Sequence, residues 1–400
     1  MKLGVIIPTR HRAELAIASI RSLLAQNHRE LTVVVSDNSS REEDVRLLAE
    51  FCRTTADPRL LYIRPPEALP MPAHWNWALE QAMARTDVTH FGFHYDRKVF
   101  KAGSIDRLAA VCAYDPAALV TYACDFTIAQ DGGFAAWQYP VTGKLYEIRT
   151  AAVVRRFAAG TVHDLGQAIP LLSNCMVPRA LLERVRARFG NICDSNAPDL
   201  SFLFRFSAVE ARYLHFDAAL SVMYAFRFSN GQAYYRRDTG GTFGDFMKLW
   251  GDRPWLDAAP IPGLNLGINV GFHEYNLVQR VAGQEAFPAI EMDGYLRELA
   301  KGLSYVEDEG ARTELRTVLL DHGWHPEAPA RPRPRWRRIA GRFARPVRRI
   351  VRRRRNVLDP DHRFTTEAES VDYLLSHPLR PVPHNALLTI LDPVEVPFSA

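Results

Sequence analysis

Two short apolar runs flanking one amphipathic stretch open this chain, and together they constrain its fold more than any other feature. Residues 3–7, Leu-Gly-Val-Ile-Ile, form a continuous apolar run of the kind found in a strand buried on both faces. Pro8-Thr9 is expected to end it. Over residues 14–25 the apolar side chains Leu15, Ile17, Ala18, Ile20, Leu23 and Leu24 recur at helical spacing. Residues 31–35 are a second strand-like run, stopped by Ser36-Asp37-Asn38-Ser39-Ser40, a cluster that favours turns and helix N-caps. The pattern continues with a helix over 41–52, a strand over 60–63, a Pro-rich connector, a helix over 74–84 and a strand over 89–93. Strands alternating with helices give an open, mainly parallel sheet with helices on both faces. Ligands in such sheets sit beyond the carboxyl ends of the strands, so segments 8–12, 36–40 and 94–98 are where a site is expected.

Further strands are expected over 117–126 and 171–177, an amphipathic helix over 179–189, and another starting at Asp199. Residues 226–330 are richer in aromatics, with helical patterns at 243–250, 295–303 and 311–320, and read as a helical extension packed on the sheet. The division is therefore 1–230, a sheet domain; 231–330, the extension; 331–356, an Arg-rich amphipathic segment; and 357–400, a Pro-rich tail. The tail has one helical patch at 366–375 and no assigned chemistry. With 47% hydrophobic and 24% charged residues, the chain has the balance of a soluble globular protein, which excludes wholesale disorder. No apolar stretch approaches the ~18 residues of a membrane span. The first twelve residues lack the ~7–15-residue apolar core of a signal peptide, so a cytosolic location is expected. The five cysteines form no CxxC pair and are expected as buried, reduced thiols.

The opening strand with Pro8, Thr9 and Arg12, the helix ending near Gln26, and Asp37 after the second strand resemble the nucleotide-binding half of family 2 glycosyltransferases of the GT-A fold. The resemblance covers roughly residues 1–230. It implies a GT-A-like α/β sheet and an enzyme that moves a sugar from a nucleotide-sugar donor to a glycan or lipid-linked acceptor. Asp37 would then contact the base or ribose, while the competing reading is that it only caps the following helix. The segment 71–82 is similar to a Met…Asn-Trp stretch of some members, which makes Asn76 a candidate for sugar or phosphate contact, with Trp75 and Trp77 open to a packing role. Where the family carries an Asp-x-Asp motif after the metal-binding strand, this chain has His94-Tyr95-Asp96-Arg97-Lys98. Asp96, with His94, would hold Mn²⁺ or Mg²⁺ against the diphosphate. Alternatively, Arg97 or Lys98 replaces some of the cation's charge. A decayed, non-catalytic nucleotide-sugar or glycan-binding domain is the third possibility.

The family places an acidic pair at a helix start on the acceptor side. Here Pro198-Asp199 occupies that place, so Asp199 is the candidate base of an inverting transfer, with Asp194 as its alternative. Ser173-Asn174-Cys175 falls where acceptor-side polar residues lie, and Arg227 where a diphosphate-contacting His or Arg lies. His215 reads as a satisfied strand histidine.

Of the formal charge of +5, 13 arginines between 331 and 355 account for more than the whole, leaving the remainder at net −8. In that segment Trp336, Ile339, Phe343, Val347 and Ile350 recur every three or four residues among arginines, a basic amphipathic helix interrupted at Pro346. An anionic membrane surface is the favoured partner, at about 1 kcal/mol per Arg. A solvated segment is the alternative, and nucleic acid is disfavoured because two aromatics make no stacking platform. A transferase building lipid-linked or cell-envelope glycans would have use for such a tether at the inner membrane face.

Overall fold

The computed structural model describes residues 1–130, 132–195, 197–229, 241–251, 256–306, 308–326, 363–385 and 388–398. The Arg-rich segment 331–355 lies outside the described residues.

The amino-terminal part runs β1 (Leu3–Thr9), α1 (Ala13–Leu24), β2 (Leu31–Asp37), α2 (Glu42–Thr55), β3 (Leu60–Ile63), α3 (Met71–Arg85) and β4 (His90–Phe93). β1 lies between β4 and β2, with β3 beyond β2, and all of these pairings are parallel. β1 continues through Pro8-Thr9 instead of stopping there. Its pairing with β4 ends at Ile6 opposite Phe93, so the missing Pro8 N–H breaks no ladder bond. The side chains of β1 alternate between two cores: Leu3, Val5 and Ile7 pack with α1 and α2, and Ile6 packs with α3.

The chain continues through β5 (Lys98–Phe100), α4 (Ser104–Tyr114), β6 (Val120–Gln130), β7 (Gly133–Trp137), β8 (Leu145–Arg149), α5 (Thr150–Ala158), β9 (Cys175–Pro178), α6 (Arg179–Phe189), α7 (Pro198–Ser207) and β10 (Arg212–Met223). β9 pairs antiparallel with both β4 and β6, joining the amino-terminal strands to a mixed sheet built on β10. The strand expected over 171–177 begins instead as a 3-10 turn at Leu172–Asn174, because the Asn174 amide donates to the Gln167 and Ile169 carbonyls.

The extension supplies α8 (Gly241–Trp250), α9 (Asn269–Ala282), α10 (Met292–Gly302) and α11 (Glu309–Asp321). Phe157 of α5 and Phe204 of α7 meet Phe272 and Tyr275 of α9 and Phe287 in one aromatic cluster, so the extension shares its core with the sheet. The open sheet flanked by helices, with a helical extension, is the architecture the sequence implies. No helix among the described residues is long and apolar enough to cross a membrane. All five cysteines are free, and four are buried.

The carboxyl-terminal stretch departs from the expected separate tail. β11 (Arg363–Phe364) pairs with β7 and β12 (Val394–Val396) with β8, and α12 (Glu367–Ser376) packs Val371 and Leu374 on Val99, Ala136 and Val222. A capping box between Thr366 and Glu369 starts α12. The Asn385 amide donates to buried Asp217 of β10 and to the Pro140 carbonyl. Residues 363–398 thus belong to the sheet domain.

Candidate active site

The ends of β1, β2 and β4 meet, and the turn after β4 sends successive side chains to different places. Thr9, opposite Asp37 in the β1–β2 register, donates from Oγ1 to Oδ2 of Asp96 at 2.9 Å. Arg12 Nη1 lies 3.4 Å from Asp96 Oδ1. Asp96 is buried and faces the β1–α1 loop. One residue earlier, the Tyr95 hydroxyl donates to Oδ2 of Asp199 at the start of α7. Asp199 Oδ1 accepts from the Ser173 N–H at 3.0 Å. Buried Lys98 donates to the Ser173 carbonyl at 2.9 Å and so fixes the segment that holds Asp199. Asp96 and Asp199 therefore stand on either side of Tyr95, one tied to β1 and the other to α7.

Burial pushes the Asp199 carboxyl above the ordinary carboxylate range, although the Tyr95 and Ser173 hydrogen bonds and the charge of Lys98 oppose that shift. The residue as a whole is partly exposed. A carboxylate made more basic than a free aspartate suits a general base. Arg97 lies between the Tyr95 and Phe226 rings, its guanidinium carbon 5.1 and 5.3 Å from their centroids. Burial lowers its pKa, with Tyr95, Asp96 and Asp199 raising it and Arg12 lowering it, so these groups share one electrostatic neighbourhood.

Four sequence expectations need correction. His94 stacks on Phe100 at 4.4 Å and its Nε2–H donates to the Lys98 carbonyl, which places the ring in the core; desolvation holds its pKa well below the usual value. That is a packed histidine, not an open ligand. Asn76 is saturated by backbone: its amide donates to the Pro72 and Cys193 carbonyls and its oxygen accepts from the Ile192 N–H at 2.9 Å. It clamps α3 to the 191–194 loop and has no amide group left for a sugar. Asp37 has no exposed surface; Oδ1 accepts from the Ser39 N–H and Oδ2 from the Tyr62 hydroxyl. It neither caps α2 nor opens to a ligand, but shapes the turn after β2. Arg227 is mostly exposed, lies over the Phe228 ring and pairs with Glu367 of α12, anchoring the carboxyl-terminal helix. Asp194, the alternative base, is exposed and paired with Arg205.

Pro8, Thr9, Arg12, Asp96, Arg97 and Asp199 thus gather at one end of the sheet. Sequence reasoning did not foresee the role of Tyr95; its signal was an aromatic at an Asp-x-Asp position, which read there only as a lost acid. The partnership of Glu367 with the 225–227 turn, where its carboxylate accepts from the Ala225 N–H at 2.7 Å, joins residues 142 positions apart and left no sequence signal.

The Asn76 clamp makes a stability prediction. Asn76→Ala leaves the Ile192 N–H and two carbonyls without their partners and is expected to lower unfolding stability by about 2–3 kcal/mol in a denaturant titration, with nucleotide affinity little changed. A tenfold loss of affinity at unchanged stability would return Asn76 to a ligand-binding role.

Residues 4–89 match the family model described as Glycosyl transferase family 2. No curated protein matches the chain significantly. Among solved structures, residues 1–349 of TarS from S. aureus, in complex with UDP-GlcNAc, align at 14% identity over 80% of this chain and 89% of that one, with a TM-score of 0.44. The mannosyltransferase PcManGT from Pyrobaculum calidifontis, in complex with GDP-Man and Mn²⁺, aligns at 16% identity over 81% of each chain, with a TM-score of 0.40.

Proposed function

We propose that this chain, whose residues 4–89 match the family model described as Glycosyl transferase family 2, moves a sugar from a nucleotide-sugar donor to a hydroxyl of a glycan or lipid-linked acceptor, inverting the anomeric centre. The observation that supports this most is the paired anchoring of Asp96 and Asp199 on either side of Tyr95, beside the loop after β1. The diphosphate lies at the ends of β1 and β4, near Thr9 and Arg12, and the acceptor lies at Asp199.

In the transfer, Asp199 takes the proton of the acceptor hydroxyl as its oxygen forms the new bond to the anomeric carbon. The bond from that carbon to the β-phosphate oxygen breaks, and its electron pair leaves on the nucleoside diphosphate. Tyr95 and the Ser173 N–H hold the carboxylate in place, so little reorganisation is needed. Asp37 contributes by fixing the turn that the nucleoside meets.

The expected Mn²⁺ or Mg²⁺ would have to rest on Asp96. That carboxylate already accepts from Thr9 and faces Arg12, and the His94 ring is held in the core. Among the described residues no three His, Cys, Asp or Glu side chains converge as a metal-holding group. The donor set does not fit a divalent cation, and no step here passes through one. Attachment of residues 331–355 to an anionic inner membrane face remains part of the proposal on charge and amphipathic spacing alone.

Screening UDP-, GDP- and other nucleotide sugars by thermal shift, then assaying release of nucleoside diphosphate, tests the reading. One donor class is expected to raise the melting temperature and to turn over, because binding at 100-fold Kd adds about 2.7 kcal/mol. Stabilisation without turnover at any acceptor would instead favour a non-catalytic binding domain, the reading that Tyr95 and Arg97 in place of acids would support.

A further inference from the structure

The residues flanking Asp96 are a tyrosine and an arginine, and the arginine occupies an unusual setting. Arg97 is 7% exposed, lies between two aromatic rings, and leaves Nη1 buried without a hydrogen-bond partner. A buried guanidinium N–H with no acceptor is costly, and natural structures rarely leave one unless something outside the chain supplies the acceptor. Burial lowers its pKa, but a guanidinium starts so high that it stays protonated at neutral pH. The site therefore holds a fixed positive charge on the turn beyond β4, next to the carboxylate that the sequence assigns to a metal. Arg12 brings a second guanidinium to 3.4 Å from that carboxylate. Two guanidinium forks matched to phosphate oxygens supply what a divalent cation supplies to a departing diphosphate: charge neutralisation in a site that excludes water.

Resting on the glycosyl-transfer reading above, we propose that Arg97, together with Arg12, takes the place of the divalent cation and that this chain binds and releases its nucleoside diphosphate without metal. The Arg97 Nη1 donates to a diphosphate oxygen, and the negative charge that appears there as the sugar–phosphate bond breaks is met by the guanidinium. Asp96 orients Arg12 and Thr9 instead of ligating a cation. The rings of Tyr95 and Phe226 hold the Arg97 plane in one orientation, so the charge is preorganised. Because Tyr95 also donates to Asp199, the turn over 95–97 couples the leaving-group side of the reaction to the base side.

Calorimetric titration of the full chain with UDP and GDP, in EDTA and again with added Mn²⁺, tests this without depending on turnover. The wild type is expected to bind one of the two diphosphates with an affinity that changes less than twofold between the conditions. Arg97→Gln should weaken that binding by about 10–100-fold, the size of a lost charge-assisted hydrogen bond, and Mn²⁺ should not restore it. Arg97→Lys, which keeps the charge, should fall between the two and guards against a folding defect in the Gln variant. Wild-type binding that disappears in EDTA and returns with Mn²⁺ overturns the proposal while leaving glycosyl transfer standing. The same holds for an Arg97→Gln variant that binds as tightly as the wild type. Absence of binding to every nucleoside diphosphate in both conditions contradicts the glycosyl-transfer reading itself.

Discussion

Asp199→Asn is expected to lower turnover by roughly 10²–10⁴-fold while leaving nucleoside diphosphate affinity within a factor of two or three. The substitution keeps the shape of the side chain and an oxygen that accepts from the Ser173 N–H. The Tyr95 hydroxyl is then free to reverse and accept from the new amide. What disappears is the proton acceptor. Stability is expected to rise slightly or hold. The carboxyl of Asp199 has a raised pKa in the folded state, so between its unfolded and folded values the native state binds the extra proton and loses stability as pH rises. Removing the ionisable group removes that penalty at neutral pH. In the wild type, kcat/KM should fall on the acid side, through a pKa above the usual aspartate value, and that limb should vanish from the residual activity of the variant. Asp194 lies at the surface in a pair with Arg205, and Asp194→Asn should retain most of the activity. Comparable losses in both variants would mean that neither is the base.

The second large effect concerns stability. Glu274 of α9 is fully buried, and its carboxylate accepts no well-formed hydrogen bond, Ser201 offering only a weak one. Burial first, and then the nearby Asp194, push its pKa up to about 8, with Ser201 and Arg205 only partly offsetting them. An unfolded glutamate titrates near 4.5, so below that pH both states are protonated and nothing is lost. As pH rises from there toward 8, the unfolded chain releases a proton that the native state keeps, and stability falls by roughly 3–5 kcal/mol before levelling off. Glu274→Gln mimics the protonated form and should match the wild type near pH 4.5, then become increasingly more stable than it up to pH 8. Denaturant titrations at four or five pH values give this difference curve directly. A flat difference would mean that the carboxylate is satisfied in the native state.

The amino-terminal half of the fold was legible because its signals are local. The run at residues 3–7, the helical spacing of Leu15 to Leu24 and the β-branched residues before Asp37 each announce one element within a dozen residues. Helix α6 begins and ends where its amphipathic pattern does, at Arg179–Phe189. Strand β10 is announced in the sequence only at His215, without bounds, because buried His215, Asp217 and Ser221 interrupt its apolar pattern. Asp217 is tolerated there because Thr142 and Asn385, 75 and 168 residues away, meet its oxygens. The same distance problem hid the return of residues 363–398 to the sheet, since two-residue and three-residue edge strands carry almost no sequence pattern.

The candidate site divided along a similar line. Thr9, Arg12, Asp96 and Asp199 came from positions where the chain must leave a strand or enter a helix; Thr9 and Arg12 meet Asp96, and Asp199 meets Tyr95. Asn76, Asp37 and His94 have the right chemistry, but the backbone groups and rings that occupy them lie elsewhere in the sequence. Residue type sets what a group is able to do, and its neighbours in space decide whether it is free to do it.

A crystal structure of the full chain with the nucleoside diphosphate that stabilises it most is the most direct examination of this picture. The diphosphate is expected at the ends of β1 and β4, in contact with Thr9, Arg12 and Arg97, with the Asp199 carboxylate meeting the acceptor on the far side of Tyr95. A diphosphate bound away from those strand ends, with Asp96 and Asp199 facing no common space, would contradict it.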